Sequence, residues 1–323
     1  MRDYALGFAS IAQPSVKWVW FIVTTFSPRL LTPPQQEEEV FPYRRVWRSV
    51  AIESGILLGI TITLFILVNF FGFPIPQSAY LAIAVGLALL PVGLWLYFSW
   101  RQERFVPQPR QRLLAAALIS ALVANAIGVP LINEFLQVDR WLPLSAAIMR
   151  IIGYTFTVGI VQEFLKYMVM RYTAWPDCFR VRLDGVAYGA ATGIGYASVL
   201  NITYAFTDTP APDVAAARVF ANVALHLVTG ILVGYGLSEL RLGEPSSLLP
   251  VFTIALAALV TGVSIPIRAG LVNASFSLGI SSPRLLLGIA FSAVVLIVPS
   301  LALSFLYNSA ERQAYEATAN RED

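Results

Sequence analysis

Residues 158–172 read VGIVQEFLKYMVMRY, an apolar helical stretch in which Glu163 and Lys166 stand three positions apart. A charged side chain near the centre of a bilayer costs about 2.5–3.5 kcal/mol on insertion scales, so two of them require a compensating reason. At i,i+3 on a helix they reach each other, and pairing offsets much of the cost. Gln162 lies four residues before Lys166, which makes Gln162, Glu163 and Lys166 one polar turn. Two readings stay open: a structural ion pair that glues helices together, and a site built on Glu163.

The surrounding composition sets this turn in a membrane. The chain is 57% hydrophobic and 13% charged, with a mean hydropathy of +0.69, too apolar for an ordinary water-soluble domain. A hydrocarbon core of about 30 Å needs roughly 20 apolar residues per helix. Eight stretches qualify: about 52–73, 78–100, 113–132, 142–170, 184–206, 216–237, 249–266 and 285–307. The expected fold is therefore all-α, a polytopic bundle of about eight transmembrane helices. Basic residues orient it. The first 48 residues carry Arg2, Lys17, Arg29, Arg44, Arg45 and Arg48, and the loops 101–112 and 171–183 are also Arg-rich, whereas the alternate loops carry few basic residues. By the positive-inside rule both termini lie in the cytoplasm, as an even number of spans requires. The expected location is a plasma (inner) membrane, of bacterial type.

Three regions follow: a cytoplasmic or interfacial segment and linker over 1–46, the membrane bundle over 47–308, and a polar cytoplasmic tail over 309–323 that is expected to fray. Within the first, SVKWVWFIVTTF (15–26) lacks a leading basic cluster and a small-residue cleavage site, so it reads as an interfacial helix that is retained. The EEE run after it reads as solvated linker. Cys178 is the single cysteine, so neither a disulfide framework nor a CxxC metal site is available. The net charge of +3 goes mostly to loops that face anionic lipid. No nucleic-acid signal is present; the expected partners here are membrane lipids.

His226, the single histidine, also falls inside a span. Asn222, His226 and Thr229 form a stripe at i, i+4 and i+7 that should face the bundle interior. At about 1.5 Å rise per residue, Glu163 lies some 12 Å in from Arg171 and His226 roughly 20 Å in from the charged turn at Glu239–Arg241, so the two are expected to meet across a water-filled cleft. Between them runs LDGVAYGAATGIGYASVLNITYAF, where Gly185, Gly189, Gly193 and Ala197 recur every fourth residue, a face made for close helix packing. Asn201 continues that face, but about 25 Å above Asp184 it is expected to lie too high to join Glu163 and His226. Asp184, at the start of this helix, reads as an N-terminal cap.

Residue types exclude several chemistries. One His and one Cys leave a zinc site to be improvised, so no metal and no other cofactor is expected. No GxSxG elbow supports a serine hydrolase, and no Asp pair sits in a span centre. A Glu general base acting on water, helped by His and amide donors, survives.

QEFLK (162–166), LDGVAYGAATGIGYASVLN (183–201) and HLVTGILVGYG (226–236), in this order on successive helices, resemble the PrsW family of intramembrane proteases, related to the CAAX/Abi superfamily. The quoted motifs fall within about 142–236, and the related core is expected over about 142–280. The resemblance implies glutamate-dependent peptidases, often described as metalloproteases, some of which cleave anti-sigma factors. It implies catalytic roles for Glu163 and His226, with Gln162, Lys166, Asn201, Asn222 and Asp184 in support. The chain departs from the family pattern in three places: EExxK reads QEFLK, a Glu-Asn pair reads Leu200-Asn201, and a second His has no counterpart, with Asn273 in that region. A thinned catalytic set leaves three expectations: an atypical protease with a single-pass membrane protein as substrate, an inactive pseudoprotease that binds such a protein as partner or serves a larger complex, and a carrier or channel.

Overall fold

A computed structural model describes residues 44–103, 109–243, 248–273 and 283–322. Residues 1–43 of the N-terminal segment and linker expected over 1–46, and the side chain of Asn273, lie outside the described residues. Eight long helices make up the described chain: α1 Arg44–Asn69, α2 Gln77–Glu103, α3 Leu113–Trp141, α4 Ala147–Thr173, α5 Leu183–Asp208, α6 Pro212–Leu242, α7 Leu249–Asn273 and α8 Pro283–Glu322. The backbone of α8 stays helical through the polar tail that was expected to fray.

Seven of these helices are long and apolar enough to cross a membrane. The exception is α5, whose glycines and polar residues dilute its hydropathy although its 26 residues give it the length. Its place in the bundle explains this. Residues Leu183 through Ser198 of α5 are all buried, so it needs no lipid-facing stripe. Its neighbour α6 is likewise enclosed, with 94% of its apolar window covered by protein, against 17–39% for the other six spans. The outer helices turn large side chains such as Leu122, Phe156, Leu301 and Phe305 outward, an arrangement stable only in an apolar solvent.

The centre is an antiparallel seam between α5 and α6, the most extensively packed pair. A Cβ at Gly185 would overlap the carbonyl of Gly234, at Gly189 that of Gly230 and at Gly193 that of His226; from the other side, Gly230 and Gly234 meet Gly189 and Gly185. Small residues on both helices thus let the backbones touch, and dispersion rather than the hydrophobic effect drives such contact in lipid. Gly195 faces the other way, against the Ala117 carbonyl of α3.

Four π turns interrupt the outer helices, at Leu96–Trp100, Ala124–Gly128, Leu131–Phe135 and Thr155–Gly159. The last directly precedes the polar turn of α4. A π turn carries one residue more than an α turn, so it resets which face of α4 looks inward. Here it brings Gly159 against the backbone of Ala258 on α7 and Thr155 against Gly262.

Asp184 is not a helix cap. It accepts the backbone N–H groups of Arg180 at 2.7 Å and Val181 at 2.9 Å from the preceding loop, and its other oxygen pairs with Arg110 at 2.7 Å. Burial pulls the Arg110 guanidinium down, but Asp184 and Glu103 together hold it above its ordinary range. With Arg182 paired to Glu239 at 2.7 Å, these contacts lock the 174–182 loop onto the ends of α2, α5 and α6.

Candidate functional site

Buried in the bundle, α4 delivers Glu163 and Lys166, both with no exposed surface, and the nearly covered Gln162. The Lys166 ammonium is the hub. Its Nζ lies 2.7 Å from Glu163 Oε2, donates to Thr229 Oγ1 at 2.7 Å and stands 3.4 Å from His226 Nδ1. An ammonium has only donors, so Nδ1 accepts and the ring proton of His226 sits on Nε2. The second Glu163 oxygen, Oε1, receives a single long hydrogen bond of 3.3 Å from Thr261 on α7. Three helices therefore converge on one ion pair.

The α6 stripe read from the sequence does face inward, and it carries Thr229 and His226 to Lys166. Glu163 and His226 meet through the Lys166 ammonium rather than across water. Asn222, one turn from His226, donates to Asn201 at 2.8 Å. Asn201 thus reaches the polar set through Asn222, because α6 runs antiparallel to α5 and its N-terminal half lies at the level of the far end of α5; among the described residues it bonds neither Glu163 nor His226. Gly185, Gly189 and Gly193 stand in the α5–α6 seam, and Asp184 lies at the far end of α5 from Asn201.

Sequence reasoning missed Thr261 and Tyr196. A threonine inside an apolar helix carries no signal of its own. Tyr196 lies within the glycine-rich run; its ring centroid is 5.2 Å from that of His226, and its buried hydroxyl has no partner among the described residues.

A cavity of about 710 Å³ opens beside this cluster, with Gln162, Asn222 and His226 in its wall and Asp139, Asp208 and Arg218 further along. Gln162 Oε1 and Asn201 Nδ2 are buried without partners among the described residues, and hydrogen-bonding groups of this kind are costly unless something meets them.

The donor set does not suit a divalent metal. Among the described residues no three of His, Cys, Asp and Glu come together, and the position that Glu163 and His226 flank is taken by a positive charge, Lys166 Nζ.

A helix bundle built to lie in lipid, with a carboxylate, an ammonium and an imidazole sealed inside it, defines an integral membrane protein with an internal polar site. Residues 108–304 match the family model described as PrsW family intramembrane metalloprotease, and the chain belongs to that family. Similar proteins include the Protease PrsW of Clostridioides difficile, 24% identical over 159 residues covering 48% of this chain and 65% of the relative. That of Halalkalibacterium halodurans is 28% identical over 159 residues, 49% of this chain and 69% of the relative. That of Bacillus subtilis is 26% identical over 99 residues, 30% of this chain and 44% of the relative. The chain thus spans just under two thirds of the Clostridioides difficile relative. No solved structure matches.

Proposed function

We propose that this chain is an intramembrane peptidase in which Glu163 is the general base that drives water onto a peptide bond of a membrane-embedded, single-pass substrate. The observation that carries this reading is the uneven hold on the Glu163 carboxylate. Oε2 is fixed by Lys166 at 2.7 Å, while Oε1 has only the 3.3 Å bond from Thr261, so Oε1 is the oxygen able to exchange its partner for a water. It takes a proton from that water as the water oxygen adds to the scissile carbonyl. The resulting oxyanion is met by Nε2–H of His226 and by the second amide N–H of Asn222. The C–N bond then breaks as Glu163 returns the proton to the leaving nitrogen. Lys166 keeps Glu163 charged and aimed. Gln162, an amide, takes no proton from water, so the reaction uses one carboxylate and no step runs through a metal. We further infer that both termini are cytoplasmic in a bacterial plasma membrane, a reading supported by the Arg-rich loops 101–112 and 171–183.

A second reading, a pseudoprotease that binds a membrane partner, is favoured by the complete burial of Glu163 and Lys166 and by Gln162. The deciding assay reconstitutes wild type, Glu163→Gln and Gln162→Glu and offers each a panel of single-pass peptides, with chelator and zinc controls. Cleavage by wild type but not by Glu163→Gln supports the peptidase. Unchanged cleavage by Glu163→Gln sinks it, and cleavage by Gln162→Glu alone supports the binding subunit.

A further inference from the structure

Sequence reasoning ended the seventh span at residue 266 and left Arg268 in a loop; α7 instead continues to Asn273, which puts Arg268 on a helix and into the wall of the cavity that reaches His226. Arg218 lines the same cavity from α6, its guanidinium stacked over Tyr204 at 4.7 Å. Among the described residues neither arginine forms an ion pair with a carboxylate. Asp139 and Asp208 also line the cavity and are exposed, as is Arg218, whereas Arg268 is half-buried; neither aspartate comes within ion-pair distance of either guanidinium. Two guanidinium groups that line one cavity, neither of them tied up in an ion pair, have the chemistry of an anion seat.

We propose that Arg218 and Arg268 receive the carboxylate of an Asp or Glu in the peptide substrate; this rests on the peptidase reading of the same site. Spacing fixes where that residue falls. Arg218, Asn222 and His226 succeed one another on one face of α6, and eight residues of helix cover about 12 Å. An extended peptide advances about 3.3 Å per residue, so the acidic residue sits three to four positions from the scissile bond, toward the arginines. Apolar residues of the wall such as Ile132, Val158, Leu200 and Ile265 suit an acyl tail and an apolar side chain equally, but Gln162, Asn222, Thr203 and Tyr204 offer hydrogen bonds that a peptide main chain returns and an acyl tail does not.

The test uses the full chain in phosphatidylcholine nanodiscs and fluorescent single-pass peptides in which one Glu, or a matched Gln, is moved residue by residue. Binding is read by anisotropy, independently of cleavage, and cut sites by mass spectrometry. In wild type one Glu position is expected to bind about tenfold more tightly than its Gln counterpart, with any cut three to four residues away. The ratio is expected to fall toward one in Arg218→Gln and in Arg268→Gln, and to favour a Lys peptide in Arg268→Glu, with circular dichroism verifying each fold. A ratio near one at every position in wild type overturns the seat, as does a ratio unchanged in both Gln variants. Loss of retained phosphatidylglycerol in those variants without a change in peptide ratio also overturns it, in favour of lipid. Tight, Arg-dependent binding with no cleavage sinks the peptidase and leaves the seat; cleavage without acidic preference does the reverse.

Discussion

Replacing Lys166 with Met tests whether the buried ion pair is coupled. The substitution keeps an unbranched side chain only one heavy atom shorter and removes the ammonium that lies 2.7 Å from Glu163 Oε2 and 2.7 Å from Thr229 Oγ1. Glu163 is then a fully buried carboxylate whose remaining contact is the 3.3 Å bond from Thr261, whereas Thr229 still donates to the Leu225 carbonyl at 3.0 Å. Breaking one side of a buried pair costs about 3–5 kcal/mol, a large share of the roughly 5–15 kcal/mol that holds an ordinary fold. Glu163→Gln should cost a similar amount, since it strands Lys166. The double variant has no stranded charge and should cost about 1–3 kcal/mol, so the cycle should give a coupling of at least about 3 kcal/mol. Unfolding in mixed micelles, followed through the buried Trp95, measures all four proteins. A coupling below about 0.5 kcal/mol would refute the reasoning, for the two charges would then not be acting as a pair.

Three further outcomes are expected. Gly189→Val drives a branched side chain into the backbone of Gly230, and such overpacking, about 1–3 kcal/mol or more, should lower the thermal midpoint well beyond a Gly55→Val control, which has open space around it. Asp184→Asn removes one of the two carboxylates that hold Arg110, leaving Glu103, and weakens the hold on the loop at Arg180 and Val181; a loss of about 1–3 kcal/mol is expected, with faster proteolysis within 174–182. Chelators should leave cleavage by the purified protein unchanged, because Lys166 holds the position a metal would need; a chelator-sensitive activity restored by zinc would contradict that assignment.

Much of the site was legible because membranes make polarity expensive. Glu163, Lys166, His226 and Asn222 stand out against apolar neighbours, and the i,i+4,i+7 stripe of α6 gives their facing. The glycine face of α5 was legible for the same reason, although its counterpart, Gly230 and Gly234, came only with the antiparallel register. What was hidden depends on tertiary contact. Thr261 resembles any threonine in a span until α7 crosses α4. Asp184 looked like a cap because sequence shows its own helix and not Arg110 or the returning loop. The π turn at Thr155–Gly159 carries no composition signal, yet it lies directly ahead of the turn that presents Glu163. Arg268 was misplaced because a charge after an apolar run normally marks the end of a span, whereas here a cavity allows the helix to continue past it.

The diluted hydropathy of α5 has a consequence for biogenesis. A segment that partitions into lipid on its own must carry its own apolar surface, and α5 has exchanged that surface for glycines fitted to α6. Three residues separate Asp208 from Pro212, so the two helices leave the ribosome as a hairpin, and the glycine seam gives α5 a proteinaceous solvent as soon as α6 is made. Entry of α5 into the membrane is therefore contingent on synthesis of the sequence that follows it, and the polar site on α4 closes only after that delayed insertion.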